Sequence, residues 1–441
     1  MKKIFTTLTL SCLIFFGADA QTTQRNCSSP FFNETYEEAF QLMLRKHEQF
    51  ANNKKALTIY NIPVVFHIIH NGEAVGVGRN ISKAQVASQI TILNEDYRKM
   101  NTDFSTWVTQ TSFVNAAADC EINFCLANID PSGNELAEPG IDRIDRNSKG
   151  WAGPSYQGYP EPGGYIDNTI KSGSYWDPDQ YMNIWVIDMS DNVLGYAQFP
   201  TIETALSPVN DMYNYGGLAT TDGVVLEYRA VGNVGAATAP FNKGRTATHE
   251  IGHWLGLWHI NGDSNCGNDY VSDTPEQSSL TTGCPNTIGS AVAAGCSNSP
   301  NPPGKMYQNY MDYSDDRCLT LFTTGQKARM QAVLANCIRR NSLTTSTVCN
   351  AVSVKENAFS LNFRVYPNPT DGDFFVDVNL VNNEDFVISI FNTLGQTVKE
   401  VKRIQSNGGE IKIDLPDKNK GVYFVSIKTK SASIVKRIVI Q

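Results

Sequence analysis

The chain has 441 residues, of which 41% are hydrophobic and 18% charged, and it carries a formal net charge of −8. It is too long for one ordinary domain and too apolar for disorder, and its acidic balance argues against nucleic acid as a partner. Two folded domains with processed ends are expected, in an acidic protein that is soluble once released.

The start, MKKIFTTLTLSCLIFFGADAQ, has two lysines, an apolar run too short to span a bilayer, and Ala18-Asp19-Ala20 as a small-residue cleavage site. A signal peptide over residues 1–20 is expected, and with it export through the periplasm to the cell surface or the medium. No later segment reaches the ~18 apolar residues of a membrane helix, so no transmembrane segment is expected. Losing the signal removes Cys12 and leaves nine of the ten cysteines in a compartment where disulfides form. One thiol is then left over. Cys27 is the outlier, and it reads either as a stray or partner-linked thiol or as a thiolate closing a metal site before activation.

Residues 21–55 read as a pro-segment with helical patches such as YEEAFQLMLRKHEQF, ending at a pair of lysines, Lys54-Lys55, that invites cutting. IPVVFHIIH follows as a strand whose His67 and His70 point to opposite faces and are structural. Ser82 and Gln85 form a capping box ahead of Val86, Ile90, Leu93 and Tyr97 at helical spacing, which predicts an amphipathic helix packed on a sheet. The loop WAGPSYQGYPEPGGY leads into a strand, YMNIWVIDM, and then LGYAQFP, an edge strand whose default role is to cover the core and which could also pair with an extended substrate.

HEIGHWLGLWH, His249 to His259, holds three of the chain's six histidines. His249 and His253, four apart on a helix, share one face a turn apart and can grip one cation. Gly256 can end that helix in a left-handed cap, returning His259 as a third ligand. Three imidazoles suit zinc and leave a fourth tetrahedral position open for water, from which Glu250, about 100° around the helix, can take a proton. The plainer alternative is a histidine-bearing core helix without metal.

Residues 260–318 are loop-rich and carry four cysteines. Asp263, Asp269, Asp273 and Thr274 are hard oxygen donors of the kind calcium prefers, or ordinary turn formers. Thr324 is predicted to cap a helix through Met330, Val333 and Leu334. From about residue 360, FRVYPNPTDGDFFVDV, FVISIFNTLGQTVKEV, GEIKIDL, GVYFVSIKT and VKRIVIQ alternate as short strands and predict a β-sandwich, which fold alone leaves open as a carbohydrate- or protein-binding module.

HEIGHWLGLWH, with SDTP downstream and NYMDYSDD beyond it, resembles the pappalysin family of metzincin metalloproteases, in particular its ulilysin-like and mirolysin-like microbial members, over roughly residues 57–340. The resemblance implies an α+β zincin catalytic domain over residues 56–345, a twisted sheet with an active-site helix, and catalytic zinc on His249, His253 and His259 with Glu250 as general base. It makes Met311 the methionine beneath the metal and Tyr313 a catalytic oxyanion donor. It assigns calcium to Asp269 and Thr274, with Asp273 beside them, and makes Cys27 the zinc-blocking cysteine of a zymogen, although no glycine follows it. The same resemblance implies disulfides Cys266–Cys296 and Cys284–Cys318, and leaves Cys120–Cys125 and Cys337–Cys349. Asp316, five residues past Met311, matches the acidic floor of the primed-side pocket, which implies cleavage before Arg and Lys. The other readings of Asp316 are a calcium ligand, a turn or a surface ion pair, since Asp312 and Asp315 lie beside it.

VYPNPTDG, ISIFNTLGQTV, GVYFVSI and KRIVI resemble the type A sorting domain of type IX secretion substrates, here an immunoglobulin-like sandwich over residues 360–441 behind a linker at 346–359. The expected protein is therefore a secreted zinc endopeptidase acting on proteins and peptides, with the secretion machinery as its other partner. The alternatives are a surface adhesin on an inactive metal-stabilised scaffold, which would need no general base such as Glu250, and a zinc hydrolase of non-peptide substrates.

Overall fold

The computed structural model describes residues 25–27, 34–51 and 59–441, apart from 154, 157–163, 191, 203–216, 300–302, 350–361, 393–395, 416–419 and 430–432. The signal peptide, Lys54-Lys55 and most of the linker assigned to 346–359 lie outside the described residues. The chain divides into two compact units, Met1–Cys349 and Asn350–Gln441.

The first unit is built on strands β1 (Tyr60–His70), β2 (Ile122–Leu126), β3 (Ile141–Asp145), β4 (Met182–Ile187), β5 (Gly195–Ala197) and β6 (Val224–Glu227). They form one sheet in the order β2-β1-β4-β6-β5, with β3 also beside β1. The long β1 gives Tyr60–Val64 to β2 and Phe66–His70 to β3, and every pairing is parallel except that of β5 with β6. A parallel sheet must be covered on both faces, which is why IPVVFHIIH is almost continuously apolar rather than alternating. Ile62, Val64, Phe66 and Ile68 share a core with helices α2 (Lys83–Tyr97) and α5 (Arg245–Trp254). On the opposite face His67 is buried, 2.8 Å from both Asp142 and Asn183 and stacked on Trp185.

Helices α1 (Glu34–Ala51), α3 (Phe104–Trp107), α4 (Thr111–Ala116) and α6 (Thr324–Asn336) complete this unit. At α2, Ser82 accepts from the Gln85 amide at 3.2 Å, but the Gln85 side chain turns away to the Tyr228 and Val231 carbonyls instead of closing the predicted box. At α6 the cap is Thr323, one residue before the predicted Thr324, because Gln326 three residues on completes the reciprocal bond.

Disulfides join Cys266 to Cys296 and Cys284 to Cys318. The other two expected pairs are not made: Cys125 bonds Cys349, while Cys120 and Cys337 are buried thiols. Five residues of extended chain hold Cα atoms about 16 Å apart, far beyond the roughly 4.4–6.8 Å a disulfide spans, so Cys120 cannot reach Cys125 along β2. Cys337 ends α6 facing inward, 3.6 Å from Met43 of α1. Meanwhile Val348 and Cys349 lie along Asn128, just past β2, through bonds of 2.7 and 2.6 Å that deliver Cys349 to Cys125.

The second unit is an all-β sandwich of β7 (Asn362–Tyr366), β8 (Asp373–Asn392), β9 (Thr397–Asp414), β10 (Gly421–Thr429) and β11 (Ser433–Ile440). All pairings among these strands are antiparallel, in the order β11-β10-β8-β7 with β9 along β8. The long β8–β9 ribbon breaks register between Asn379 and Phe386, so one half of β8 pairs with β7 and the other with β10. Alternate residues Phe374, Val376, Val378, Ile388 and Ile390 fill the core with Val425, Ile427 and Ile438.

Because Cys125–Cys349 closes a separation of 224 residues, Cys349→Ser is expected to lower stability by about 2–4 kcal/mol, seen by calorimetry as a fall in Tm relative to the wild type in the absence of reductant. An unchanged Tm would show that the tail is held by its packing alone.

Candidate metal centre and active site

Helix α5 buries all ten of its residues, so His249 and His253, one turn apart, project from the same face into the interior. Gly256, at φ +86°, ends the helix: its N–H donates to the His253 carbonyl at 2.8 Å and that of Leu257 to Gly252 at 2.9 Å. These are the two bonds of a Schellman turn, and they send the chain back so that His259 meets the first two histidines. His253 Nε2 lies 3.2 Å from His249 Nε2 and 3.1 Å from His259 Nε2. A tetrahedral ion with bonds of about 2.05 Å would set its ligand atoms about 3.3 Å apart. Cys27 Sγ joins them, and the four candidate ligand atoms all lie within 4.8 Å of one another.

The outer nitrogens are each fixed. Nδ1 of His249 bonds the Tyr310 carbonyl and Nδ1 of His253 the Leu257 carbonyl, both at 2.7 Å, while Nδ1 of His259 bonds Asp263. Each Nε2 lone pair is thereby turned toward its neighbours. Burial and the neighbouring rings push His249 well down and His253 to about 3, favouring the neutral, ligating form. Burial also acts to lower His259, but the Asp263 carboxylate outweighs it and raises this imidazole.

Glu250 is buried beside the cluster, 3.2 Å from Cys27 Sγ. A Cβ on Gly195 of β5 would come within 2.8 Å of Glu250 Cγ, so the edge strand approaches this carboxylate only as glycine. Under the helix, a Cβ on Gly252 would lie 2.5 Å from Met311 Sδ, so the glycine just before the second histidine of HEIGH makes room for Met311 under the site. The Tyr313 ring packs 4.9 Å from His259, and its hydroxyl accepts from Cys27 N–H at 3.3 Å and donates to the Cys27 carbonyl at 3.2 Å. Burial, then the Cys27 thiol, hold the phenol well above its usual range.

Asp316 is fully buried and receives Arg25, whose Nη2 is 2.5 Å from its Oδ1. The guanidinium also donates to Thr246 Oγ1 at 3.0 Å and the Ser314 carbonyl at 3.3 Å, and lies over Phe241. The Lys243 and Arg245 amides hold the other Asp316 oxygen, at 2.7 and 3.4 Å. Of its neighbours, Asp312 is used by Gln277 and Thr281, and Asp315 lies near Arg317. Residues 25–27 run along the edge strand, with Asn26 accepting from Leu194 N–H at 2.9 Å and Cys27 bridged in parallel to Gly195.

Comparison with known proteins agrees with this geometry. The profile described as pregnancy-associated plasma protein-A matches residues 164–335, and that of a secretion system C-terminal sorting domain matches residues 364–441. An extracellular metalloprotease of Colletotrichum graminicola is 31% identical over 333 residues, 74% of this chain and 96% of that protein. Mature mirolysin of Tannerella forsythia in complex with a cleaved peptide is 36% identical at a TM-score of 0.51, over 65% of this chain and 96% of that one. A promirolysin mutant from the same organism is 34% identical at a TM-score of 0.53, over 73% and 97%. The chain belongs to the pappalysin family of metalloproteases. This pappalysin is a metalloendopeptidase, its family implies zinc, and its C-terminal sorting domain marks it for export by type IX secretion.

Not every residue expected at a metal lies together in this pappalysin. Asp269 and Thr274 meet, with the hydroxyl 2.9 and 2.8 Å from the carboxylate oxygens. Asp273 turns instead to the start of α6, accepting from Thr323 Oγ1 at 2.6 Å and Gly325 N–H at 2.9 Å. Asp263, grouped by composition with these donors, serves His259, and a carboxylate four residues past a ligand and next to a glycine was its available signal. Arg25 was missed, and so was Asp96, buried beneath the site between Tyr310 OH at 2.7 Å and Thr248 Oγ1 at 2.8 Å.

Asp263→Asn removes the charge behind His259, and the affinity for zinc, read by competition with a chelator, is expected to fall about 10- to 100-fold. An unaltered affinity in the folded variant would show that Asp263 does not tune the site.

Proposed function

We propose that this pappalysin is made as a latent precursor and that its active form cleaves proteins on the amino side of Arg and Lys, with His249, His253 and His259 holding zinc. The observation that best supports this reading is the seating of residues 25–27: Cys27 completes the ligand cluster while Arg25 occupies Asp316. The chain's own arginine already samples the pocket. A carboxylate buried this deeply is poorly served by a neutral side chain, which would leave it desolvated and unpaired.

The donor set, three imidazole nitrogens and a thiol, suits zinc better than a hard cation. When bound, zinc supplies Lewis acidity that polarises the scissile carbonyl and acidifies water. The rest comes from side chains. Glu250 takes the proton of the attacking water and returns it to the leaving amine. Tyr313 OH, engaged by the Cys27 peptide in the precursor, donates to the developing oxyanion once Cys27 withdraws. Strand β5 offers the substrate backbone the edge that residues 25–27 line in the precursor. We further assign calcium to Asp269 and Thr274: burial raises the Asp269 carboxyl to about 7, the condition of a buried carboxylate that a hard cation would relieve.

Cleavage profiling on a denatured proteome tests the specificity. Asp316→Ala is expected to lower kcat/KM at Arg and Lys sites about 10- to 100-fold and to erase the preference, since a charge-assisted hydrogen bond worth roughly 1.5–3 kcal/mol is lost. A wild type indifferent to these residues, or a variant that keeps the preference, refutes the assignment. Glu250→Ala is expected to keep fold and zinc stoichiometry while turnover falls on the order of 10³-fold. Near-normal turnover in the zinc-loaded variant would remove Glu250 from the mechanism.

A further inference from the structure

Helix α1 is joined to the catalytic unit by a contact that touches neither the histidines nor Asp316. Tyr36, Glu37, Phe40, Met43 and Leu44 fall on one helical face, and the first three are buried. Glu37, a carboxylate on an otherwise apolar stripe, is 1% exposed. Arg329 of α6 meets it with both terminal nitrogens, at 2.5 and 2.6 Å, and Trp258 Nε1 donates to it at 2.7 Å. Around this fork Phe40 lies under the Arg329 guanidinium at 3.9 Å, and Tyr36 packs on Phe199 and Trp258 and donates to the Pro200 carbonyl at 3.0 Å.

The receiving groups belong to the enzyme. Arg329 is 1% exposed, and its Nε donates at 2.6 Å to the carbonyl of Gly256, the residue whose turn returns the third histidine. Trp258 directly precedes His259, and Phe199, 4.5 Å from Trp258, lies 5.7 Å from the His253 ring. A Cβ on Gly256 would stand 2.9 Å from Phe40, so the turn and the helix face fit each other closely. A planar cation with an indole N–H beside it, walled by aromatic rings, is a receptor for a carboxylate on an amphipathic helix.

We propose that this face is a helix-binding exosite specific for the pattern Tyr-Glu-x-x-Phe, and that its occupant after the pro-segment is cut is the severed helix 34–51 itself, held against the metal-ligand loop without help from Cys27 or Arg25. The proposal rests on the latent-precursor reading for its biological setting, and on the Glu37 contact alone for its chemistry. It implies that one cut between α1 and β1 does not release the segment. Full release follows destruction of the helix or displacement of its glutamate. A partner or substrate bearing the same helical pattern would compete for the same fork.

The test uses the full chain, folded first and then cut at Lys54-Lys55 by a lysine-specific protease. In the Arg25→Ala, Cys27→Ala double variant the N-terminal fragment is expected to co-elute with the enzyme on size exclusion, and adding Glu37→Gln is expected to separate the two. The cut Glu37→Gln enzyme keeps Arg329 intact, so a labelled peptide of residues 34–51 should rebind it. The same peptide carrying Glu37→Gln should bind about 30-fold or more weakly by fluorescence anisotropy. Equal retention with and without Glu37, or equal binding of the two peptides, overturns the exosite. An uncut wild-type chain with full activity would instead overturn latency, and the exosite would stand if the peptides still differ.

Discussion

The left-handed turn at Gly256 is the constraint on which the rest of the catalytic unit depends. Its two backbone bonds leave the Leu257 carbonyl pointing inward, where it takes the Nδ1 proton of His253, and its direction brings His259 back over the helix it has just ended. A residue with a side chain would have to adopt φ near +86° and also displace Phe40 and Val333. The carbonyl of Gly256 itself is taken by Arg329, buried against α1. One turn therefore sets the third ligand, orients the second, and supplies the acceptor that holds Arg329.

What the sequence made legible follows from the range of the signal. The histidine spacing, the glycine that ends the helix and the apolar run of β1 are local patterns, and the structure realises each of them within its own segment. The contacts that give those segments their chemistry are not local. Arg25 finds Asp316 across 291 residues, and Asp96 joins Tyr310 across 214, with nothing in either neighbourhood to announce the partner. The disulfides divide in the same way. Cys266–Cys296 and Cys284–Cys318 staple one loop-rich region, whereas Cys125–Cys349 depends on where the end of the first unit lies against β2, which no cysteine count contains. Asp263 was legible as an acidic turn residue but not as the partner of His259, because the imidazole's orientation comes from the Gly256 turn.

The chain has excess acid, yet several of its arginines are buried on carboxylates at junctions between elements. Arg245 of α5 bonds Asp103 at 2.7 and 2.8 Å and the main chain of Asp316 at 2.9 Å, tying the active-site helix to the Asp316 loop. Arg340 bonds Asp222 while lying over Trp254 at the end of α5. Such pairs add little net stability over apolar packing, but losing one partner leaves a buried charge at a cost of about 3–5 kcal/mol. Within the enzyme this asymmetry fixes geometry. On the latent-precursor reading, the same asymmetry between α1 or residues 25–27 and the enzyme would act as a latch, because the penalty would fall on the remaining protein when Arg25 or Glu37 departs, unless substrate or solvent replaces it.

The direction of residues 25–27 bears on why a segment that fills both the metal cluster and the Asp316 pocket would survive there. On the reading proposed above, a substrate is cut before its arginine, so the residue in the pocket follows the bond at the metal. In the pro-segment the order is reversed: Arg25, in the pocket, precedes Cys27, at the cluster, and Cys27 pairs in parallel with β5. A chain laid with the pocket residue on its C-terminal side must run the other way along β5 and is antiparallel to it. On that reading the pro-segment uses the enzyme's own selectivity to bind, placing an arginine where arginine is wanted, while its backbone passes the histidine cluster with reversed polarity and meets Glu250 through the Cys27 thiol. Tyr313, which would serve an oxyanion, instead holds the N–H and the carbonyl of one and the same residue.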